Sequence, residues 1–387
     1  MQTEHKKFPG HIDGLKFSLK VWAASLLVFS LLGLAAWWMF SPIRPAVAEN
    51  LWGTIPVETG VEGGLLGVWM RWDGIHYLRI AQNGYSEDVL TAFFPLYPLL
   101  SRWAGMLLGG SDLAGLLAVS RMSLLMALFF LYQLTYQYFD ENTAKKAVIF
   151  TVLFPTSVYL FGPYPLSLAL MFSLAAVWFA LQKKWLLVTV AGLLAGLTYG
   201  ATVPLAVGLG VIAIQQAWKG TRRLVWFNLV AAGGAPFGTA LFLAWRISRG
   251  FSDYSAIQLQ YWSRIAQPPW MIVQEFERFI IAYTGDADGW VNLTLFLLAS
   301  VLTIRAFKRI PLALWVYQVA MLILFCSNTT LSIPFGSIGR YLLLMFPLYI
   351  ETALLVEKRW ARLITLTVFL FAALFLAMVY FMWGWLA

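Results

Sequence analysis

Long apolar runs separated by short polar stretches are the dominant pattern of this chain. A hydrocarbon core about 30 Å thick is crossed by a helix of about 20 mostly apolar residues. The run from Val21 to Phe40 reaches that length without a charged side chain. Runs of this kind predict eleven membrane-spanning helices, at residues 21–40, 113–139, 147–162, 164–182, 185–199, 201–217, 224–247, 289–304, 310–326, 337–356 and 363–386.

Composition agrees with that pattern. Of the 387 residues, 60% are hydrophobic and 12% are charged, whereas a soluble domain has roughly 25% charged residues. We therefore predict an all-α polytopic membrane protein, with residues 1–387 forming a single membrane domain. The first apolar run is too long for the core of a signal peptide, so we expect it to remain as an anchor.

Residues 89–110 are apolar but contain Pro95, Pro98 and Arg102. We interpret this segment as re-entrant or interfacial, because broken backbone at membrane depth needs protein or water around it. Basic residues test this choice through the positive-inside rule. If the segment crossed the membrane, Lys145 and Lys146 would lie outside.

If residues 89–110 do not cross the membrane and the N-terminus is cytoplasmic, all eleven lysines lie on the cytoplasmic side. They are Lys6, Lys7, Lys16, Lys20, Lys145, Lys146, Lys183, Lys184, Lys219, Lys308 and Lys358. The basic residues behind the net charge of +9 are thus distributed according to membrane topology, and the charge does not indicate nucleic-acid binding. Cys326 is the only cysteine, which excludes a disulfide framework and a cysteine metal site.

This topology predicts three non-cytoplasmic regions, at 41–112, 248–288 and 327–336. They contain twelve of the eighteen Asp and Glu residues, so we expect acid–base chemistry on the outer face. Within the first region, Leu65 to Ala81 can form an amphipathic helix at the membrane surface.

One face of that helix carries Trp69, Asp73, His76, Tyr77 and Ile80. A carboxylate one turn from an imidazole, in a partly desolvated site, is a candidate general base. An ordinary interfacial helix, with Asp73 and His76 merely hydrated, is the alternative. The turn at Gly84-Tyr85 should end the helix, and the proline-broken stretch 91–98 that follows favours a cavity there.

These residues resemble the signature of the PIG-V mannosyltransferase family. The resemblance is carried by Trp72-Asp73, His76-Tyr77, Ile80-Ala81, Gly84-Tyr85, Phe93-Phe94-Pro95 and Tyr97-Pro98, with Arg340-Tyr341 as a later element. It implies a GT-C-like bundle that moves a sugar, mannose in this family, from a polyprenyl-phosphate donor to a glycolipid or glycan acceptor. Transfer would occur with inversion on the non-cytoplasmic face, here of a bacterial cell membrane.

The resemblance also implies roles for individual residues. Asp73 matches the general base, with His76 beside it as a second catalytic candidate. Arg340 is the leading candidate for binding the donor phosphate, and the alternative for it is a basic side chain that snorkels to the membrane surface. Arg246, Arg249 and Arg264 are weaker candidates. Expected substrate-binding residues are Trp72, Tyr77, Tyr85, Phe94, Pro95, Tyr97, Arg340 and Tyr341.

Two positions depart from the family pattern. Leu166 stands where the family has Glu, and Tyr199 stands where it has Arg. Loss of both could reflect an ion pair replaced by apolar packing, altered substrate recognition, or an inactive relative that serves as a membrane subunit. A lipid or sugar transporter is the alternative from another class. No cofactor is expected, although Asp73, Glu87 and Asp88 are oxygen ligands of the kind that Mg²⁺ accepts.

Overall fold

The computed structural model describes residues 11–39, 60–218, 225–282 and 287–384. The first ten helices in this part of the chain are α1 (His11–Met39), α2 (Gly60–Leu65), α3 (Asp73–Asn83), α4 (Leu96–Leu107), α5 (Asp112–Tyr138), α6 (Glu141–Val152), α7 (Val158–Phe161), α8 (Leu166–Leu181), α9 (Trp185–Thr198) and α10 (Leu205–Trp218). The other helices are α11 (Val225–Ala232), α12 (Gly234–Ser248), α13 (Tyr254–Trp262), α14 (Ile272–Ala282), α15 (Ala287–Ala306), α16 (Leu312–Cys326), α17 (Ile338–Tyr341), α18 (Pro347–Leu355) and α19 (Arg359–Phe381). Short 3₁₀-helices cover Gly67–Trp69, Asp88–Ala92, Gly200–Thr202, Pro269–Met271 and Leu342–Leu344.

A small antiparallel ribbon departs from the all-α prediction. Strand β1 (Arg264–Ala266) pairs with β2 (Asn328–Thr330), and Arg264 lies opposite Thr330. These strands belong to two regions that the sequence placed on the outer face. Their backbone groups pair with each other because neither segment has a helix to satisfy them.

Several helices are long and apolar enough to cross a membrane, which makes this a multi-pass membrane protein. Within the described ranges they are Ile12–Met39, Asp112–Tyr138, Gly200–Trp218, Asp288–Ala306 and Arg359–Phe381. Two bent pairs, α11 with α12 at 49° and residues 338–344 with α18 at 84°, bring the total to seven. Helices α8, α9 and α16 are apolar but have only 16, 14 and 15 residues, so length and composition do not establish eleven spans.

Three predicted spans are not single helices, and one of them, 224–247, is the bent pair of α11 and α12. The run 147–162 is interrupted, because α6 ends at Val152 and α7 begins only at Val158. Pro155 lies in the gap, where it lacks the N–H that would continue a helix. The run 337–356 bends at Pro347 for the same reason. The end of the predicted span 363–386 lies partly outside the described residues, as do Phe40 of the span 21–40 and residues 41–59 of the first outer region.

The prediction of one surface helix from Leu65 to Ala81 is wrong. Helix α2 ends at Leu65, a 3₁₀ turn follows, and α3 begins at Asp73. Between them Trp72 has a φ of 52°, a backbone conformation that bulky residues rarely adopt. Helix α3 is also largely buried, and its exposed polar surface is small. The turn at Gly84 does end α3, as predicted.

Tertiary hydrogen bonds explain the break. The Arg71 guanidinium donates to the carbonyl oxygen of Phe381 at 3.1 and 3.2 Å. Tyr164 donates to the Arg71 carbonyl at 2.8 Å, and Tyr380 donates to that of Trp69 at 2.6 Å. The hydroxyls of Tyr164 and Tyr380 bind the carbonyls of Arg71 and Trp69, which a continuous helix would have used for its own hydrogen bonds. Distant parts of the chain therefore override the local helical pattern.

Glycines set two close helix contacts. Gly192 and Gly196 of α9 face Gly234 and Gly238 of α12, and a Cβ added at Gly196 would lie 2.1 Å from the Ala235 carbonyl oxygen. This is the small-residue packing typical of membrane helices. Helix α4, with 12 residues, packs on α5 in the same way through Gly115. It is shorter than the run of about 20 residues that crosses a hydrocarbon core.

Candidate active site

A cavity of about 310 Å³ lies at one end of the helix bundle. That volume is within the range of small-ligand sites. Its walls come from α3, the stretch 92–94, the end of α9, α13 with β1, and the segment 324–341. All three regions that the sequence assigned to the outer face, 41–112, 248–288 and 327–336, therefore contribute residues to the same cavity.

Asp73 and Arg340 form an ion pair in this cavity. Nη1 of Arg340 donates to Oδ2 of Asp73, and their side chains are 8% and 16% exposed. Asp73 is the first residue of α3, so the break at Trp72 places it at the cavity surface. Arg340 lies on the short helix α17, which begins just after Ser337.

Buried polar contacts fix α17. The Gly339 N–H donates to Oδ1 of Asn292 at 3.0 Å, and the Thr156 hydroxyl donates to the Gly339 carbonyl at 2.7 Å. Thr156 belongs to the proline-containing gap between α6 and α7. The interrupted span therefore holds the residue that precedes Arg340.

A second guanidinium lies close to the first. Arg264 and Arg340 both donate to the Ser337 hydroxyl oxygen, at 2.8 and 3.0 Å. Arg264 also donates to the hydroxyl of Tyr341. We call Arg264 and Arg340 the arginine pair. Guanidinium groups at this spacing are suited to binding phosphate oxygens, with which they form bidentate hydrogen bonds.

Aromatic rings form much of the remaining wall. Phe93 and Trp262 meet edge to face at 5.5 Å, and the rings of Tyr199 and Tyr341 are 6.0 Å apart. Tyr254, Gln258 and Trp262 are four residues apart on α13 and all line the cavity. The sequence analysis did not single out these three, although their helical spacing in an outer region beside Arg264 was a usable signal.

His76 lies behind this wall. Its ring stacks on Phe93 with centroids 4.8 Å apart and is not among the lining groups. Burial lowers its pKa from 6.5 to about 4, although the nearby Asp73 carboxylate raises it. The imidazole is therefore neutral at pH 7 and buttresses Phe93, so the structure does not bring this predicted catalytic residue to the cavity surface.

Other expected substrate-binding residues divide into two groups. Tyr77, Phe94, Arg340 and Tyr341 line the cavity. Trp72, Tyr85, Pro95 and Tyr97 lie outside its lining. Trp72 donates to the Gly384 carbonyl at 3.3 Å, Tyr85 to that of Phe93 at 2.8 Å, and Tyr97 to that of Leu116 at 2.9 Å. Their hydroxyl and indole groups hold loops and helices together.

Of the three weaker arginine candidates, one lies in the cavity and two lie outside it. Arg264 is in the site, whereas Arg246 donates to the Thr91 hydroxyl at 3.0 Å and to the Ser252 carbonyl at 3.0 Å. It thereby ties the first outer region to the second. Arg249 is exposed and does not line the cavity.

The described residues contain no group of three His, Cys, Asp or Glu side chains that could hold a metal ion. Of the three oxygen ligands named from the sequence, Glu87 pairs with Arg79 and Asp88 accepts from the Ser252 hydroxyl. Neither shares a metal-binding arrangement with Asp73.

The two departures from the family pattern have different environments. Leu166 is 1% exposed and belongs to the hydrophobic core. Tyr199 lines the cavity close to Tyr341. An aromatic ring therefore occupies the wall where the resemblance led us to expect a cation, and the second cation of the site is Arg264 from another part of the chain.

Fold and site together define a multi-pass membrane protein with a carboxylate and two guanidinium groups in one cavity. Residues 53–219 match the family model Mannosyltransferase (PIG-V). This match confirms, over that stretch, the resemblance to PIG-V mannosyltransferases that begins at Trp72-Asp73.

A curated relative agrees with the family match. GPI mannosyltransferase 2 of Drosophila melanogaster is 30% identical over 109 residues, which cover 26% of this chain and 24% of the relative. The aligned part thus spans about a quarter of that protein.

Solved structures of an oligosaccharyltransferase from Archaeoglobus fulgidus also align. The complex with zinc and sulfate has a TM-score of 0.44 and 15% identity, covering 93% of this chain and 53% of that one. The complex with an inhibitory peptide and a dolichol-phosphate has a TM-score of 0.46 and 12% identity, covering 93% and 55%. This chain spans about half their length, and scores below 0.5 do not assign a fold.

Proposed function

We propose that this protein transfers a mannosyl residue from a polyprenyl-phosphate donor to a hydroxyl group of a glycan or glycolipid acceptor, with inversion. The observation that carries the proposal is Asp73 paired with Arg340 in a cavity where Arg264 supplies a second guanidinium. The family match over residues 53–219 supports mannose as the sugar.

Asp73 is the general base in this mechanism. Its Oδ2 accepts from Arg340, and the acceptor hydroxyl would approach Oδ1. As the acceptor oxygen forms its bond to the anomeric carbon, its proton passes to Asp73. The bond between that carbon and the phosphate oxygen breaks on the opposite face, which inverts the anomeric configuration. A positioned base of this kind contributes about 10² to 10⁴ in rate.

The arginine pair stabilises the leaving group. A sugar phosphodiester carries one negative charge, and with ionised Asp73 it balances the two guanidinium charges. After transfer the lipid phosphate carries two negative charges and Asp73 is protonated, so the site is again neutral. The charge that develops on phosphate thus meets fixed cations and is compensated by the proton on Asp73. This balance favours a lipid monophosphate donor over a diphosphate, which would bring a further negative charge.

The apolar side of the cavity supports a lipid-linked donor. Leu243 of α12 and Leu324 and Phe325 of α16 line it. Helix α12 belongs to one of the bent pairs that could cross a membrane, and α16 is a shorter apolar helix of 15 residues. In the proposed complex a polyprenyl chain would leave the arginine pair along this apolar side of the cavity.

We further propose eleven crossings in a GT-C-like bundle, with the cavity on the non-cytoplasmic side. Contacts among the described residues support a bundle in which the cavity and the lysine-bearing side lie at opposite ends of the helices. The cavity end includes residues 73, 199, 262 and 341. Residues from the lysine-bearing side contact one another outside the cavity. Lys146 donates to the Ala353 carbonyl at 2.7 Å, and Arg309 lies 3.8 Å from Glu351. Helices of 14 to 16 residues would cross only where the bilayer thins or neighbouring protein shields their ends.

A donor panel tests the activity. Purified protein in lipid vesicles is incubated separately with polyprenyl-phosphate mannose, polyprenyl-phosphate glucose or GDP-mannose, each with a mixture of glycolipid acceptors, and release of lipid phosphate or of GDP is scored. We expect release from polyprenyl-phosphate mannose only. Turnover with GDP-mannose, or lipid movement across vesicles without bond cleavage, would contradict the proposal, and the second result would favour a transporter.

A further inference from the structure

A buried carboxylate outside the cavity holds the segment that leads to the arginine pair. Glu275 of α14 is 3% exposed. It accepts hydrogen bonds from the Thr329 hydroxyl, from the Phe335 N–H at 3.2 Å and from the Arg278 guanidinium. Arg278 in turn donates to the carbonyl oxygens of Leu331 at 3.1 Å and Thr330 at 3.3 Å. Glu275 and Arg278, one turn apart on α14, thus bind four residues of the loop 329–337.

That loop has an unusual backbone. Phe335 and Ser337 have φ values of 59° and 68°. Non-glycine residues rarely adopt this conformation, and they persist in it when surrounding contacts over-determine them. The bond from the Phe335 N–H to Glu275 lies two residues before Ser337, whose hydroxyl joins Arg264 and Arg340.

We infer that Glu275 is a positioning residue that sets the spacing of the arginine pair for phosphate. Its carboxylate fixes the loop conformation in which Ser337 bridges the two guanidinium groups. This inference rests on the phosphate site of the proposed function. Loss of the carboxylate lets the loop relax from its left-handed conformation, the bridge opens, and phosphate affinity falls while Asp73 keeps its place on α3.

Binding of farnesyl phosphate to the purified full-length protein tests this. Dissociation constants are read from quenching of tryptophan fluorescence, since Trp262 lines the cavity. We expect Glu275→Gln to raise the dissociation constant about tenfold, Thr329→Val about threefold, and Glu275→Asp less than Glu275→Gln because it keeps the charge. Glu277→Gln is the matched control, because Glu277 is exposed on the same helix and should leave binding unchanged.

A double variant separates positioning from general weakening of the fold. If Glu275 acts through Ser337, Glu275→Gln combined with Ser337→Ala should weaken binding no more than the stronger single change. Effects that multiply, or a Glu275→Gln protein that binds like wild type, would overturn the inference. So would a wild-type protein that does not bind farnesyl phosphate. Binding without sugar transfer would instead contradict the proposed function and leave the positioning role supported.

Discussion

At the scale of single residues, the site depends on a few polar groups that backbone breaks bring to one cavity. Asp73 directly follows Trp72, and Arg340 lies three residues after Ser337. Trp72 and Ser337 both have positive φ. Strained backbone of this kind costs energy and persists where surrounding contacts hold it. Both members of the ion pair are therefore presented by local structure that a regular helix would not provide.

The neutral state of His76 has a consequence for stability. Its pKa is lowered by burial to about 4 in the folded protein, against 6.5 when unfolded. Between these values the unfolded chain binds the proton and the folded chain does not. Stability should therefore fall as the pH falls from 6.5 to 4, by about 1.4 kcal/mol per pH unit.

Melting temperatures in detergent between pH 7 and pH 4 measure this effect. His76→Phe keeps a ring against Phe93 and removes the titrating group, so its melting temperature should fall less steeply than that of the wild type. Parallel curves for the two proteins would show that His76 does not bind its proton more weakly on folding.

At the scale of elements, the sequence predicted helices well and their interruptions poorly. The apolar runs at 113–139 and 289–304 correspond to continuous helices. Local patterns could not predict the break between Trp69 and Asp73, because it depends on Tyr164, Tyr380 and the end of α19. The ribbon of β1 and β2 was missed for a different reason, because strands of three residues have too little periodicity to detect.

The contact between α9 and α12 gives a prediction at this scale. Gly196 has no room for a side chain against Ala235, whereas the nearest atom to a Cβ at Gly210 is 3.9 Å away. Gly196→Ala should destabilise the protein by about 1–3 kcal/mol through overpacking and should perturb Tyr199 at the end of α9. Gly210→Ala should be neutral or stabilise by up to about 1 kcal/mol. Equal thermal stability of the two variants would contradict the close packing.

At the scale of the whole molecule, lysine placement and the cavity agree. Residues from regions 41–112, 248–288 and 327–336 converge although they are far apart in sequence. Charge patterning could predict that they share a face, because it reports topology. It could not predict that Arg264 rather than Arg246 joins Arg340, because that choice depends on how β1 pairs with β2.

Cysteine labelling tests this arrangement. In a Cys326→Ser background, Gln260→Cys places a thiol on the exposed side of α13 and Lys358→Cys places one before α19. In intact cells a membrane-impermeant maleimide should label the first variant and not the second until the membrane is opened. Labelling of both, or of Lys358→Cys alone, would contradict the proposed orientation.

The central claim is that Asp73 accepts the proton of the acceptor hydroxyl, and Asp73→Asn tests it most directly. The amide keeps the size of the side chain and an oxygen for Arg340 but cannot act as the base. Asp112→Asn is the control, because Asp112 is likewise the first residue of its helix and does not line the cavity. With polyprenyl-phosphate mannose as donor, Asp73→Asn should lower kcat by about 10³-fold while farnesyl phosphate still binds, and Asp112→Asn should transfer mannose normally. Wild-type turnover by Asp73→Asn would contradict the account.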